Sequence, residues 1–478
     1  MAFRGIESVS RKTNHETSER LQDLHPYFSE DNLKNFAGEV HRDQVERAFG
    51  LRAIEKLADL SRYPELSKEG RATTLRIVVA LTSSQEEKQL AIKSGLIQSC
   101  TELLGDDDDF VREQAGYVLA SLASGPYQAQ PHFRKCNTVM RLTNVLSDNV
   151  NEVGDAASLA LLNLSVSRRG SDMIVAAEGA VKKVAAALLS NSKTTSLYLV
   201  SALVNISRYF KGTELALDAG VVSSVIELLR DCPDTMDPAS IDGLKVQTLN
   251  AIWNLGNHLS GKDMLIAADA VEHISAALMD SSTDARRCAA GALMALSVHE
   301  YGKQQISEFA QEGLTRLLQD KDDAVRSNAK VAIFQASENR DTRYFMIKEL
   351  VQKWPGSPEV SKDLIEGVFG AVGAESLNKV LDEDNVDMQE RAVLSLLSLA
   401  SSGPEANNAV MGTLYIVEKL AKLVASTNAN VREHAYKTLE ILVSGHAYAK
   451  NRLRDFYEDG VNTLVVNGEH GSKLADLL

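Results

Sequence analysis

The stretch from Val111 to Ala123 reads VREQAGYVLASLA, and its pattern of apolar residues recurs along the chain. Its apolar residues fall at offsets 0, 4, 7, 8 and 11 from Val111, which places them on one face of an α-helix. The same template starts again at six later positions, namely Val153, Thr195, Ala285, Val325, Met388 and Val431. One copy indicates an amphipathic helix, whereas seven copies in series predict an internal repeat.

A second recurring unit lies upstream of the templates and begins with a glycine followed by apolar residues, as in Gly95-Leu96-Ile97. The glycine is predicted to take the left-handed conformation that ends one short helix before the next begins. Asparagine and aspartate tolerate that conformation better than most residues. The residues in this slot are, in order, Gly95, Asn137, Gly179, Gly220, Asp269 and Gly313. Their spacings of 42, 42, 41, 49 and 44 residues set the period of the repeat.

This combination of features resembles the armadillo repeat over about residues 45–465. A period near 42 residues, a Gly-apolar-apolar start and an A-x-x-(A/S)-L-x-x-L third helix carry the resemblance. It implies an all-α fold, a right-handed superhelical solenoid of three-helix repeats whose third helices line a concave groove. Each repeat would bury its apolar face on its neighbours, so no repeat should be stable alone.

Departures from the period divide the chain into four parts. We expect a polar N-terminal tail or cap over 1–43, regular armadillo repeats over 44–341, a divergent repeat or hinge over 342–372, and C-terminal repeats with a cap over 373–478. The longest interval comes from an insertion at 231–244, predicted to be a surface loop because it holds prolines, glycine and several acids. Trp354-Pro355-Gly356 is predicted to end a helix inside the divergent part.

The armadillo resemblance also marks candidate binding residues, because third-helix offsets 6 and 10 tend to face the groove in that family. The candidate groove residues are Tyr117, Asn163, Asn205, Trp253, Asn257 and Gln335. An asparagine amide can both donate to and accept from the backbone of an extended peptide. The alternative is that each asparagine bridges neighbouring repeats. Nuclear-import adaptors of the importin-α type repeat a Trp–Asn pair, and here only Trp253 and Asn257 supply one, so that role is disfavoured.

Composition excludes several classes of function. The 478 residues include 51 basic and 65 acidic side chains, and a net charge of −14 disfavours general nucleic-acid binding. Part of this charge lies in Asp-rich links such as 106–109, predicted to cap helix N-termini. Arginines near third-helix starts are interpreted as solvated helix surface rather than as a basic groove; they are Arg112, Arg287, Arg326 and Arg432.

No sequence motif supports catalysis or a bound cofactor. H-E-x-x-H, P-loop and G-x-S-x-G patterns are absent, and the four cysteines have neither zinc nor disulfide spacing. No apolar run reaches the roughly 20 residues that a membrane helix needs. We therefore expect a soluble cytoplasmic protein without enzymatic activity, cofactor or metal, whose partners are other proteins rather than nucleic acid, membrane or small molecules.

A narrower resemblance lies at the start of the repeats. Residues 44–57, QVERAFGLRAIEKL, resemble the opening repeat of the armadillo-type radial-spoke protein of motile cilia. The shared pattern is A-(Y/F)-G-x-R-A-(L/I)-x-K-L, which Ala48 to Leu57 match. This resemblance implies a structural scaffold that bridges radial-spoke or other axonemal subunits in the cilium or flagellum. The alternative is a soluble adaptor that binds extended peptide segments in its groove for transport or signalling.

Overall fold

A computed structural model describes Leu33, Phe36 and residues 40–126, 128–190, 192–231, 238–352, 358–460 and 474–478. Within these ranges every regular element is a helix, so the predicted all-α solenoid of three-helix repeats is confirmed. The chain divides into two compact units, Met1–Gly261 and Lys262–Leu478. The right-handed superhelix stays a prediction.

The third helices form the stack that organises the first unit, because each packs against the next along the chain. Their bounds are Lys68–Leu81, Asp109–Ala123, Asn151–Ser165, Lys193–Ile206 and Pro238–Gly256. The shorter first and second helices are Arg42–Phe49, Ala53–Ser61, Gln85–Lys93, Leu96–Leu103, Ala129–Lys135, Thr138–Asn144, Arg168–Ala176, Ala180–Ala187, Phe210–Asp218 and Val221–Arg230. All five template positions of the helix Asp109–Ala123 are 0% exposed, so the sequence template marks the buried face.

In the second unit the third helices are Thr283–Leu296, Asp323–Ala336, Pro358–Phe369, Val386–Ser402 and Ala429–Gly445. The remaining α-helices there are Ala270–Ala276, Glu300–Gln305, Gln311–Leu317, Arg340–Gln352, Ala374–Val380, Pro404–Met411, Ile416–Leu423 and Ala447–Gly460. The helix Leu259–Ala267 contains the division between the two units. The divergent part has two helices, Arg340–Gln352 and Pro358–Phe369, where a regular repeat has three. The first packs against Ala374–Val380 and the second packs against Val386–Ser402. Trp354-Pro355-Gly356 and residues 1–32 lie outside the described residues.

The left-handed slot is confirmed at five of its six predicted positions. Asn137 and Asp269 have φ of 52° and 53°, like the slot glycines, and each residue directly precedes a second helix. The prediction is wrong at Gly313, which lies inside the helix Gln311–Leu317. A Cβ at Gly313 would lie 2.6 Å from Cδ1 of Leu278, so this glycine permits close packing rather than a turn. Tyr415 occupies the slot unpredicted, with φ of 56°.

The insertion contains a helix where a loop was predicted. The helix Pro238–Gly256 takes in the last seven residues of the 231–244 segment, and residues 232–237 lie outside the described ranges. Proline suits the first position of a helix because its missing N–H would have no partner there. The loop prediction is therefore wrong from Pro238 onward.

Arginine–aspartate pairs join successive repeats. Arg112 donates to both carboxylate oxygens of Asp148 at 2.9 and 3.0 Å, and Arg286 donates to those of Asp320 at 2.6 and 3.2 Å. Arg112, Arg326 and Arg432 also donate to backbone carbonyls of the polar link before their own third helix. The interpretation of these arginines as solvated surface is therefore wrong for these three, while Arg287 pairs with Asp284 at the surface.

The Arg286–Asp320 pair predicts a pH-dependent contribution to stability. The hydrogen bond from Arg286 holds the pKa of Asp320 below its usual range, so the stabilisation is present above the ordinary aspartate pKa and lost as pH falls through the lowered value. We expect Asp320→Asn to lower the free energy of unfolding in urea at pH 7 by about 2 kcal/mol. The difference from wild type should shrink below about pH 4.

The matched control is Asp363→Asn, because the side chain of Asp363 is 70% exposed. It should change stability little at either pH. An Asp320→Asn effect that persists undiminished at low pH would contradict the assignment.

Candidate protein-interaction face

On successive third helices of the first unit, an asparagine at offset 10 reaches the last turn of the preceding third helix. Nδ2 of Asn163 donates to the carbonyl of Ala120 at 2.9 Å. Nδ2 of Asn205 donates to Oγ of Ser165 at 3.0 Å. These contacts form one ladder of side-chain hydrogen bonds between repeats. The amide donors of both asparagines therefore bridge neighbouring repeats, which was the alternative to peptide binding.

The same position is used in the second unit with different side chains. Oγ of Ser297 donates to Oε1 of Gln335 at 2.5 Å, and Oγ of Ser398 donates to Oε2 of Glu366 at 2.6 Å. The candidate Gln335 therefore also bridges two successive third helices. Whether it contacts a partner stays a prediction.

The sequence register assigned to Trp253 and Asn257 is wrong by three residues. The buried template of this helix begins at Leu244, whose partners at offsets 4, 7, 8 and 11 are all 0% exposed. Asn254, at offset 10, is the residue that matches Asn163 and Asn205, and its Nδ2 donates to the carbonyl of Val204 at 3.0 Å and to Oγ of Ser207 at 3.2 Å. Trp253 therefore stands at offset 9, and Asn257 lies exposed beyond the helix end at Gly256.

An acidic and aromatic surface accompanies the ladder on the third helices of the first unit. We name it the third-helix face and define it by Glu113, Tyr117, Glu152, Asp155 and Tyr198. Glu113, Tyr117, Asp155 and Tyr198 are half-buried, and Glu152 is exposed. Tyr117 is among the residues predicted from the sequence, whereas the carboxylates are not, although they lie near the starts of the third helices.

Carboxylates lie close together on this face and repel one another. The pKa of Glu113 lies above its usual range, first because burial removes water from the carboxylate and then because Glu152, Asp109 and Asp155 repel its charge. The pKa of Tyr117 is also raised, by burial and by the negative charges of Glu113 and Asp155. A cation bound here would relieve the repulsion among these carboxylates.

The described residues offer little to a metal or to nucleophilic chemistry. No group of three or more His, Cys, Asp or Glu side chains that could hold a metal ion occurs in the described part of the chain. Burial raises the pKa of the Cys100 thiol to about 12 and that of Cys288 to about 11, so both thiols stay protonated and unreactive near pH 7. None of the helices in the described ranges combines the length and apolarity that a bilayer-spanning helix requires.

Comparison with known proteins shows the fold alone. No protein-family model and no curated protein matches the sequence. An engineered protein of known crystal structure is 22% identical, covers 89% of this chain and 98% of its own length, and superposes with a TM-score of 0.55. A designed armadillo repeat protein is 20% identical over 51% of this chain and 99% of its own, with a TM-score of 0.45. Another designed armadillo repeat protein, in complex with the peptide (KR)4, is 20% identical over 51% and 99% of the two chains, with a TM-score of 0.46.

The amide ladder predicts different effects for two asparagines of similar sequence context. We expect Asn205→Ala to lower the free energy of unfolding by about 1 kcal/mol, because it removes the donor to Ser165 between two repeats. Asn257→Ala is the matched control, since that side chain is exposed and should leave the thermal midpoint unchanged. Equal destabilisation by the two substitutions, measured by calorimetry, would contradict the register described above.

Proposed function

We propose that this chain is a non-catalytic scaffold that binds other proteins, and that an extended segment of a partner lies across the third-helix face. The observation that carries the proposal is a row of half-buried aromatic and carboxylate side chains on successive third helices, beside a ladder that fixes these helices against one another. Side chains held on packed helices lose little conformational entropy when a partner binds.

The carboxylates and the aromatic ring of the third-helix face suit a basic partner segment. Glu113 and Asp155 would pair with lysine or arginine, while the ring of Tyr117 can pack on the aliphatic stem of the same side chain or attract its cationic head. A basic segment would lower the raised pKa of Glu113 on binding, which adds to the binding free energy. Asn163, Asn205, Trp253, Asn257 and Gln335 remain candidate contacts, with Trp253 at offset 9 the aromatic one among them.

We further propose that the scaffold belongs to the ciliary axoneme, as a radial-spoke component bridging other subunits. This proposal rests on the Ala48–Leu57 pattern. Phe49, Ile54 and Leu57 are buried, and Gly50 has φ of 68°, so the shared residues form the core and turn of the first repeat. The pattern is therefore evidence that the first repeats are related, and it does not define a binding surface. The soluble adaptor remains the second candidate function.

Photo-crosslinking tests the face directly. Benzoylphenylalanine placed at Tyr117 or at Trp253 in a tagged copy should crosslink to the same basic segment of one partner, read by mass spectrometry of the crosslinked peptides. The control position is Tyr448 in the second unit, which is 64% exposed and should give no such crosslink. Glu113→Lys with Glu152→Lys should abolish the crosslinks through charge repulsion, and crosslinks unaffected by this double substitution would contradict the proposed face.

Fractionation tests the ciliary proposal separately. A tagged copy expressed in a ciliated cell should stay with axonemes after they are stripped with salt, because scaffold subunits are held by extensive contacts. A soluble, diffuse distribution would favour the adaptor and reject the axonemal assignment, whatever the crosslinking shows.

A further inference from the structure

Three successive turns of the first unit expose large apolar side chains to solvent. They are the turns at which a third helix ends and the next first helix begins. Val166 is 71% exposed, Phe210 67% and Leu259 73%, which are among the largest exposures of apolar residues in the described chain. We name this surface the turn edge and define it by these residues together with Arg168, Arg169, Arg208, Tyr209, Lys211 and His258.

Contacts between repeats make the turn edge one continuous surface. The guanidinium of Arg168 lies 5.4 Å from the centroid of the Tyr209 ring and joins the first turn to the second. The rings of Phe210 and His258 lie 4.9 Å apart and join the second turn to the third. An apolar surface that spans three repeats and that no described residue covers is typical of an interaction site.

The turns themselves are fixed by close approach of the backbone. A Cβ on Gly170 would lie 1.8 Å from the carbonyl oxygen of Leu164, and one on Gly212 would lie 2.2 Å from that of Ile206. Only glycine fits at such a distance. The apolar and charged side chains of the turn edge are therefore presented on a rigid framework, which lowers the entropic cost of binding.

The cations of the turn edge have no anionic partner among the described residues. Arg168, Arg169, Arg208 and Lys211 are exposed. The contact between Arg168 and Tyr209 is the one interaction that the structure gives to any of these four side chains within the described ranges. Elsewhere in the chain, cations at repeat boundaries pair with carboxylates, as Arg112 does with Asp148.

Two of these helices carry cations where the helix dipole disfavours them. Arg168 and Arg169 open the helix Arg168–Ala176, Lys211 is the second residue of Phe210–Asp218, and neither helix has an acid in its first turn. Other first helices place glutamate there, as at Glu86, Glu300 and Glu405. The positive end of a helix is stabilised by anions, so these exposed cations weaken the free chain and would be stabilised by an anionic partner.

We propose that the turn edge docks an acidic segment of a partner protein in which apolar side chains alternate with Asp or Glu. The four cations, which have no carboxylate partner among the described residues, fit the carboxylates of such a segment. The aliphatic Val166 and Leu259 fit apolar side chains better than they fit nucleic-acid bases, which stack on aromatic rings. A whole-chain charge of −14 also repels nucleic acid and anionic bilayers. The third-helix face is acidic, so the two surfaces would take partners of opposite charge.

The experiment uses the full chain and a fluorescein-labelled peptide of sequence EELEEFEELEE, with binding measured by anisotropy. A second peptide, EESEESEESEE, keeps the charge and removes the apolar side chains. The charge variant is Arg169→Glu with Lys211→Glu, whose side chains make no hydrogen bond, ion pair or ring contact among the described residues. The apolar variant is Val166→Ser with Leu259→Ser. The matched control is Lys321→Glu with Leu414→Ser, which changes an exposed cation and an exposed leucine in the second unit.

The wild-type chain should bind the apolar peptide at least about tenfold more tightly than its serine counterpart, and each turn-edge variant should weaken that binding by about tenfold or more. The control should bind like wild type. The charge variant should also show a raised thermal midpoint, because glutamate replaces a cation at two helix N-termini. This rise separates lost binding from lost folding.

Several results would overturn the proposal. They are absence of binding, equal affinity for the two peptides, or affinities unchanged in the turn-edge variants. Tighter binding of an oligothymidylate or of phosphatidylserine vesicles, with the same dependence on the variants, would identify another polyanion as the occupant instead of an acidic protein segment. A concentration-dependent dimer in sedimentation that the charge variant abolishes would identify a second copy of this chain as the occupant.

Discussion

The stack of repeats depends on the close approach of successive third helices. An ideal Cβ on Gly116 would lie 2.8 Å from the Cβ of Ala156, so alanine and glycine at these positions let the helices pack closely. Each third helix packs against the third helices of neighbouring repeats as well as against the second helix of its own repeat. A single repeat would leave part of the template face in water, which explains why the fold requires several repeats in series.

Polar side chains fix the positions that apolar packing leaves loosely defined. The ladder through Asn163, Asn205 and Asn254 and the pairs such as Arg286–Asp320 both join neighbouring repeats, and their partially buried geometry makes misalignment costly. Residues that resembled binding residues in the sequence thus hold the scaffold. The surfaces that we propose for partners are ones that this framework leaves open, namely an acidic, aromatic face and a basic, apolar edge.

These two surfaces explain how the proposed scaffold could bind more than one partner. A solenoid can present different chemistry on third helices and on the turns between repeats because each location repeats along the stack. Glu113 and Tyr117 would attract a cation, whereas Arg169 and Lys211 would attract a carboxylate. A chain with both could hold two partners of opposite charge at once, as a bridging subunit must.

The helical template, the three-helix period and the left-handed residues Asn137 and Asp269 are readable from the sequence, because these depend on local spacing and on backbone preferences. The sequence could not fix the register of Trp253, since residues three or four apart share a helix face and only packing against Val204 and Ser207 shows that Asn254 takes the ladder position. It also could not tell that Gly313 packs against Leu278 instead of turning the chain. Tertiary structure alone brought Phe210 beside His258 and Arg168 beside Tyr209, because these contacts join residues 48 and 41 positions apart that no local pattern relates.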